Sequence, residues 1–347
     1  MLPQTSLPVT ALLFAVAATT VWLSGSRLVA YADEISDRLR IGRALMGLVF
    51  LAAATSLPEI VTTGIAAANN APSLALGNLF GGITLQFAIL AVADGVARGA
   101  PITAYPRKTT AIVEAIAMAF LLALLFGVLT IGEGVLVGHV GAGATVLGIA
   151  YIGMIAVLRS YDRNDPWTPV EVPEAGRADT EGAFVSSFPD TSTLQLQLRF
   201  LLLAATIFGA GALTVEMAGR LAVQTGLGTG FIGVTLLAAV TSLPELSTTV
   251  AAVRIGAYTM AISNIFGSNL LMLALVWPAD MLYSNGPILE RLDPVLAVAL
   301  VSGLLATIIY MAGLVLRTRR NLFGFGYDAL AVLVLLAVTM VLYWQRV

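Results

Sequence analysis

Residues 55–63 read TSLPEIVTT, and residues 241–249 read TSLPELSTT. Each copy sits inside a long apolar run and sets a helix-breaking proline beside an acidic residue. Proline lacks an amide donor, and its ring clashes with the carbonyl four residues earlier. Pro58 is therefore expected to release the carbonyl of Ala54 and disturb the turn holding Ala52 and Thr55. Pro244 should do the same to Val240, Ala238 and Thr241. The agreement extends outward at a constant offset of 186 residues. LAAATSLPE at 51–59 lies over LAAVTSLPE at 237–245, Gly42 and Gly47 over Gly228 and Gly233, and GNLFGG at 77–82 over SNIFGS at 263–268.

The 347 residues are 58% hydrophobic and 11% charged, with a mean hydropathy of +0.92. Soluble domains carry about 25% charged residues. A chain this apolar could not cover a soluble surface, so it is read as an integral membrane protein. A helix needs about 20 mostly apolar residues to cross a bilayer. Ten such runs lie near 8–24, 42–68, 73–97, 109–129, 134–158, 198–218, 227–253, 257–283, 293–316 and 325–345. The first lacks the basic leader of a signal peptide and is expected to be a retained span. The one long polar interruption, 159–197, reads as a linker between five-helix units at 1–158 and 198–347.

Of the 18 Lys and Arg residues, all but Arg220, Arg291 and Arg346 fall in loops that follow odd-numbered spans. Positive residues concentrate on the cytoplasmic face. The expectation is a multi-pass cell-membrane protein with a cytoplasmic linker and both termini outside. The matching copies lie in spans two and seven, an odd interval apart, so they cross in opposite directions. The fold class is thus all-α: ten transmembrane helices as two inverted five-helix repeats. In transporters built this way, the site lies near the midplane, formed by interrupted helices at the repeat interface.

A carboxylate at the bilayer centre costs roughly 2.5–3.5 kcal/mol. Two of them, Glu59 and Glu245, would also repel. A bound cation removes both costs, and a divalent ion balances both charges. Carboxylate, carbonyl and hydroxyl oxygens suit hard ions: Ca²⁺, Mg²⁺, Na⁺, or protons in exchange. Other chemistries have little to work with. The chain has no cysteine, a single histidine (His139) and no paired mid-span aspartates, which leaves an intramembrane hydrolase without machinery. No phosphate-cradling loop points to ATP, and a net charge of −2 gives no reason to invoke nucleic acid. No cofactor is expected, the partners are lipid and inorganic cations, and the oligomeric state is open. A channel could use similar ligands, but continuous conduction has no need of two acidic half-sites.

TSLPE closing a Gly-rich apolar helix, followed in the next helix by an Asn-x-x-Gly-Ser stretch, resembles the α-repeats of the cation/calcium exchanger superfamily. The sodium/calcium exchanger branch is the nearest match. The resemblance implies exchange of Ca²⁺ against Na⁺ by alternating access. It further implies a divalent ion held by Glu59, Glu245 and the carbonyls of Thr55 and Thr241, with Na⁺ sites at Ala52, Ser56, Ala238 and Ser242. The family adds a serine and an Asn or Asp from the following helix. Ser268 fits the serine in the second half. Gly82 stands in place of the first-half serine, while Gln86 and Met272 stand in place of the Asn or Asp. Scaffold and divalent site match, whereas Na⁺ coupling is expected to be reduced, altered or replaced by protons. Mg²⁺ or another cation is the alternative cargo.

Several polar residues remain. Asn78 and Asn264 read equally as ligands or as hydrogen-bonding glue between helices. Glu114 reads as an acid that snorkels to the interface, and Asp94, Glu133, Glu216 and Asp280 as solvated span ends. His139 is expected on the surface.

Overall fold

The computed structural model describes residues 6–39, 56–97, 99–106, 109–164, 188, 191–254, 256 and 258–345. Its first part runs α1 (Leu7–Leu39), α2 (Leu57–Ala68), α3 (Pro72–Asp94), α4 (Thr110–Ile131), a hairpin of β1 (Val135–Val137) and β2 (Val140–Gly141), and α5 (Ala142–Asn164). The second repeats that order: α6 (Thr193–Thr225), α7 (Thr229–Thr241), α8 (Leu243–Arg254), α9 (Tyr258–Leu282), α10 (Pro294–Leu316), a hairpin of β3 (Asn321–Leu322) and β4 (Phe325–Gly326), and α11 (Tyr327–Trp344). A short 3₁₀ turn precedes α4 at Ile102–Ala104 and α10 at Ile288–Arg291.

Among the described residues, eight helices are long and apolar enough to cross a membrane. The pair α7–α8, bent by 47° at Ser242, makes a ninth. The upstream half of the second expected span lies outside the described residues, as do most of the linker, Arg40 and Arg43. Three boundaries differ from expectation. Helices α1 and α6 run 33 residues each, so Arg27, Arg38 and Arg199 lie on helices rather than in loops. Arg38 pairs with Glu34 at 2.8 Å and donates to the carbonyls of Phe188 and Thr191, tying the end of α1 to the start of α6. The fifth span starts at Ala142, because residues 135–141 form a hairpin turning at the positive-φ Gly138.

Helix α3 is apolar all round and is the most enclosed span, as a helix with no polar stripe must be. It carries much of the core through Leu76, Phe80, Ile83 and Phe87, which are fully buried. Long apolar side chains on α1, α5, α6 and α11, such as Leu12, Ile152, Leu202 and Val334, point outward, as lipid contact requires. Helix α7 contains a π segment, Gly233–Leu237. It packs so closely on α3 that a Cβ at Gly77 would lie 2.9 Å from Gly233 Cα, and one at Gly81 would collide with Val234 backbone. Small residues let helices approach this closely.

Asp94 and Asp280, expected to be solvated, are buried. Asp94 accepts the amides of Ile102 (2.7 Å) and Gly326 (2.6 Å). Asp280 accepts those of Ile288 and Gly141, both at 2.6 Å. Each carboxylate therefore pins the 3₁₀ turn of its own half to the hairpin of the other. Donors with no intrahelical partner draw these acids inward, since a buried amide must be satisfied. Glu133 is also partly enclosed and accepts from Gly143 at 2.7 Å. Glu216 stays at the surface beside Arg220, and the exposed face of His139 meets the Met281 carbonyl at 3.1 Å.

Candidate functional site

Each proline lies at the start of a described helix. Helix α2 starts at Leu57 with Ser56 as its N-cap residue, and α8 starts at Leu243 directly after Ser242. Pro58 and Pro244 thus occupy the first turn of a new helix, where the missing amide is harmless. Glu59 and Glu245 fall in that same turn, where the positive end of the helix dipole favours an anion. Gly25 of α1 lies against both prolines. A Cβ there would sit 2.8 Å from Pro244 and 3.6 Å from Pro58.

Both glutamates are fully buried, and each is reached by the serine of the other half. Ser56 Oγ donates to Glu245 Oε1 at 3.4 Å, and Ser242 Oγ to Glu59 Oε1 at 3.5 Å. Ser56 Oγ also lies 3.3 Å from Ser268 Oγ of α9, whose hydroxyl can donate to it. Buried polar atoms with no protein partner include Glu59 Oε2 in this cross-over and, on α3 and α9, both amide atoms of Gln86 and of Asn269. An unmet buried polar atom costs about 1–3 kcal/mol. Two buried carboxylates crossed by serine hydroxyls, with Glu59 Oε2 left unmet, are oxygens that a hard cation would satisfy. A crevice of about 560 Å³ lies apart from them, between α2, α3 and α6, lined by Ile65, Asn69, Leu213 and Glu216.

The asparagines brace this centre. Asn78 Nδ2 donates to Thr62 and Thr63, both at 3.0 Å, while its Oδ1 accepts from Thr241 at 3.1 Å. Asn264 donates to Thr248 and Thr249, both at 3.4 Å. Helix-to-helix hydrogen bonding is what both side chains do in this structure. Glu114 does not snorkel. It is buried on α4 and accepts from Ser263 of α9 at 3.0 Å.

The family model described as "Sodium/calcium exchanger protein" matches residues 9–158 and 196–345. The chain belongs to the sodium/calcium exchanger family. Among relatives, it is 28% identical over 268 residues to a protein of Alkalimonas amylolytica whose name describes it as an antiporter, CaxA, covering 77% of this chain and 78% of that one. The inner membrane protein YrbG of Escherichia coli K12 is 25% identical over 268 residues, covering 76% and 77%. The fold matches that of native YfkE with a TM-score of 0.64 at 16% identity, covering 97% of this chain and 93% of that one. It matches the sodium-calcium exchanger NCX_Mj, soaked with Na⁺ and Sr²⁺, with a TM-score of 0.58 at 18% identity, covering 97% and 99%.

Within this exchanger-family fold, the structure brings together Ser56, Glu59, Ser242, Glu245 and Ser268, with Thr241 tied in through Asn78. Gln86 is buried on α3 with its amide unengaged. The carbonyl of Ala238 already accepts from Ser242 N at 3.1 Å and from Thr241 Oγ1 at 3.2 Å. Ala52 and Thr55 lie outside the described residues. Nothing in the sequence marks Asn269. Its counterpart at the 186-residue offset is Ile83, so a search for matched polar pairs passes over it.

Proposed function

We propose that the chain is a secondary active cation antiporter, moving a divalent ion, Ca²⁺, across the cell membrane in exchange for Na⁺ or H⁺ by alternating access. The observation that carries this reading is the reciprocal crossing of Ser56 onto Glu245 and Ser242 onto Glu59, with Glu59 Oε2 left unmet. In this reading, Glu59 and Glu245 share the divalent ion with the carbonyls of Thr55 and Thr241. Ser56, Ser242, Ser268, Gln86 and the carbonyls of Ala52 and Ala238 serve flanking positions. The ten spans form two inverted five-helix halves, 1–158 and 198–347, with a cytoplasmic linker at 159–197 and both termini outside.

Alternating access needs the two halves packed unequally at any one moment, since inversion exchanges one state for the other. The packing supports this. Gly25 lies against Pro244, yet its counterpart Gly211 lies against Val61 and Thr62, about a turn beyond Pro58. The thioether of Met272 and the bare Gly82 favour altered Na⁺ coupling, because sulfur is a poor partner for a hard ion. Flux into reconstituted liposomes tests the whole reading, with Ca²⁺, Mg²⁺ and Mn²⁺ set against Na⁺ and pH gradients. Saturable, counter-ion-dependent Ca²⁺ uptake is expected. Unitary current steps without counter-ion dependence would mean a channel instead.

A further inference from the structure

The surroundings of the two carboxylates are not equivalent. On the Glu245 side, Ser56 and Ser268 bring two hydroxyls into contact with each other, one of them donating to the carboxylate. On the Glu59 side, Ser242 and Thr241 bring hydroxyls to the carboxylate, and the position paired with Ser268 is Gly82. That glycine is not an open space. A Cβ built on it would lie 2.7 Å from Met272 Cε and 2.9 Å from Met272 Sδ. The same Cβ would be 4.0 Å from Ser242 Oγ, so Gly82 borders both the Met272 thioether and the serine that donates to Glu59. Gly82 and Met272 are thus one feature: a side chain lost from α3 and a long, soft one filling its place from the opposite half.

We propose that Met272, seated over Gly82, is a specificity-determining plug. It closes the hard-cation position beside Glu59, while the corresponding position beside Glu245 keeps the hydroxyl oxygens of Ser56 and Ser268. The argument is chemical. A thioether offers a hard cation almost nothing, and its methyl group fills the volume that an oxygen ligand or a partly hydrated ion needs. The protein therefore binds one monovalent cation fewer than a symmetric pocket of this shape would hold. This inference rests on the antiporter reading and adds to it the identity of the residue that limits counter-ion coupling.

Three variants test it: Gly82→Ser, Met272→Asn, and Gly82→Ser combined with Met272→Ala. Two readouts are taken: Na⁺ equilibrium binding to the purified protein, and Ca²⁺ uptake into liposomes against Na⁺. Gly82→Ser alone should lower uptake about tenfold, because the added side chain meets the thioether. Its combination with Met272→Ala should recover uptake, bind an additional Na⁺ per chain and steepen the Na⁺ dependence. Met272→Asn, which replaces sulfur with an amide oxygen at an unaltered Gly82, should also raise the Na⁺ count. Unchanged Na⁺ stoichiometry in both Met272 variants overturns the plug. Absence of counter-ion-dependent flux in the unaltered protein overturns the antiporter reading, and the binding counts then still decide whether Met272 shuts a cation position.

Discussion

Replacing Glu59 with glutamine removes one formal charge and little else. The side-chain oxygen that accepts from Ser242 at 3.5 Å is retained, as is the volume. Both glutamates are fully buried, so their interactions are not screened as surface charges are. At about 4 Å and an effective dielectric constant of about 20, two unit charges interact with about 4 kcal/mol. A divalent ion between the carboxylates gains roughly twice that from each of them. Neutralising Glu59 forfeits about 8 kcal/mol of attraction for a divalent ion; the carboxylate repulsion is present with and without the ion and does not enter the affinity. That loss corresponds to Ca²⁺ affinity lower by roughly six orders of magnitude. For Na⁺ the attraction lost is about 4 kcal/mol, or roughly three orders of magnitude. Glu59→Gln and Glu245→Gln should each abolish Ca²⁺ binding at concentrations that saturate the parent and weaken Na⁺ binding by a much smaller factor. Calorimetric titration of both ions into detergent-solubilised protein reads the difference. A Ca²⁺ affinity within tenfold of the parent, or equal losses for both ions, refutes shared coordination.

Three further outcomes follow from the geometry. Asp94→Asn and Asp280→Asn each turn one acceptor of two buried amides into a donor, and should cost about 2–4 kcal/mol apiece, with nearly equal falls in thermal midpoint because the two clasps share a geometry; a difference between them as large as either effect contradicts the matched roles. Ca²⁺ affinity should weaken steadily from about pH 8 to about pH 5 as protons compete for the carboxylates, and a flat profile counts against Glu59 and Glu245 as ligands. Burial pushes the Glu133 carboxyl above the usual range, helped by the charges of Asp280 and Glu290 and opposed by the amides of Gly143 and Ala144. The folded state then holds this proton more tightly than the unfolded chain does, so stability falls as pH rises between the usual and the raised value. Glu133→Gln should melt higher than the parent at neutral pH, with the gap closing in acid, as thermal scans at several pH values will show.

Most of the helical order is legible in the sequence because span length is set by bilayer thickness and marked by unbroken apolar runs. The hairpins are not, since strands of two or three residues carry no periodicity to read. Asp94 and Asp280 look like solvated ends when taken singly, because amides that need an acceptor leave no trace in composition. The signal was nonetheless present: Ala93-Asp94 and Ala279-Asp280 obey the same 186-residue offset as TSLPE. The paired glutamates and serines were legible through duplication. Asn269 and the seating of Met272 on Gly82 were not, because both are places where the two halves have diverged and only contact in space connects them.

The clasps have a bearing on ancestry. Asp94 in the first half holds Gly326 in the second, and Asp280 in the second holds Gly141 in the first. Two separate copies of a half-length precursor would form the same reciprocal bonds across a two-fold dimer. Joining those copies end to end would have required no new contact between them. It would, however, have freed each copy to change alone, which is how a serine could be kept at 268 and lost at 82.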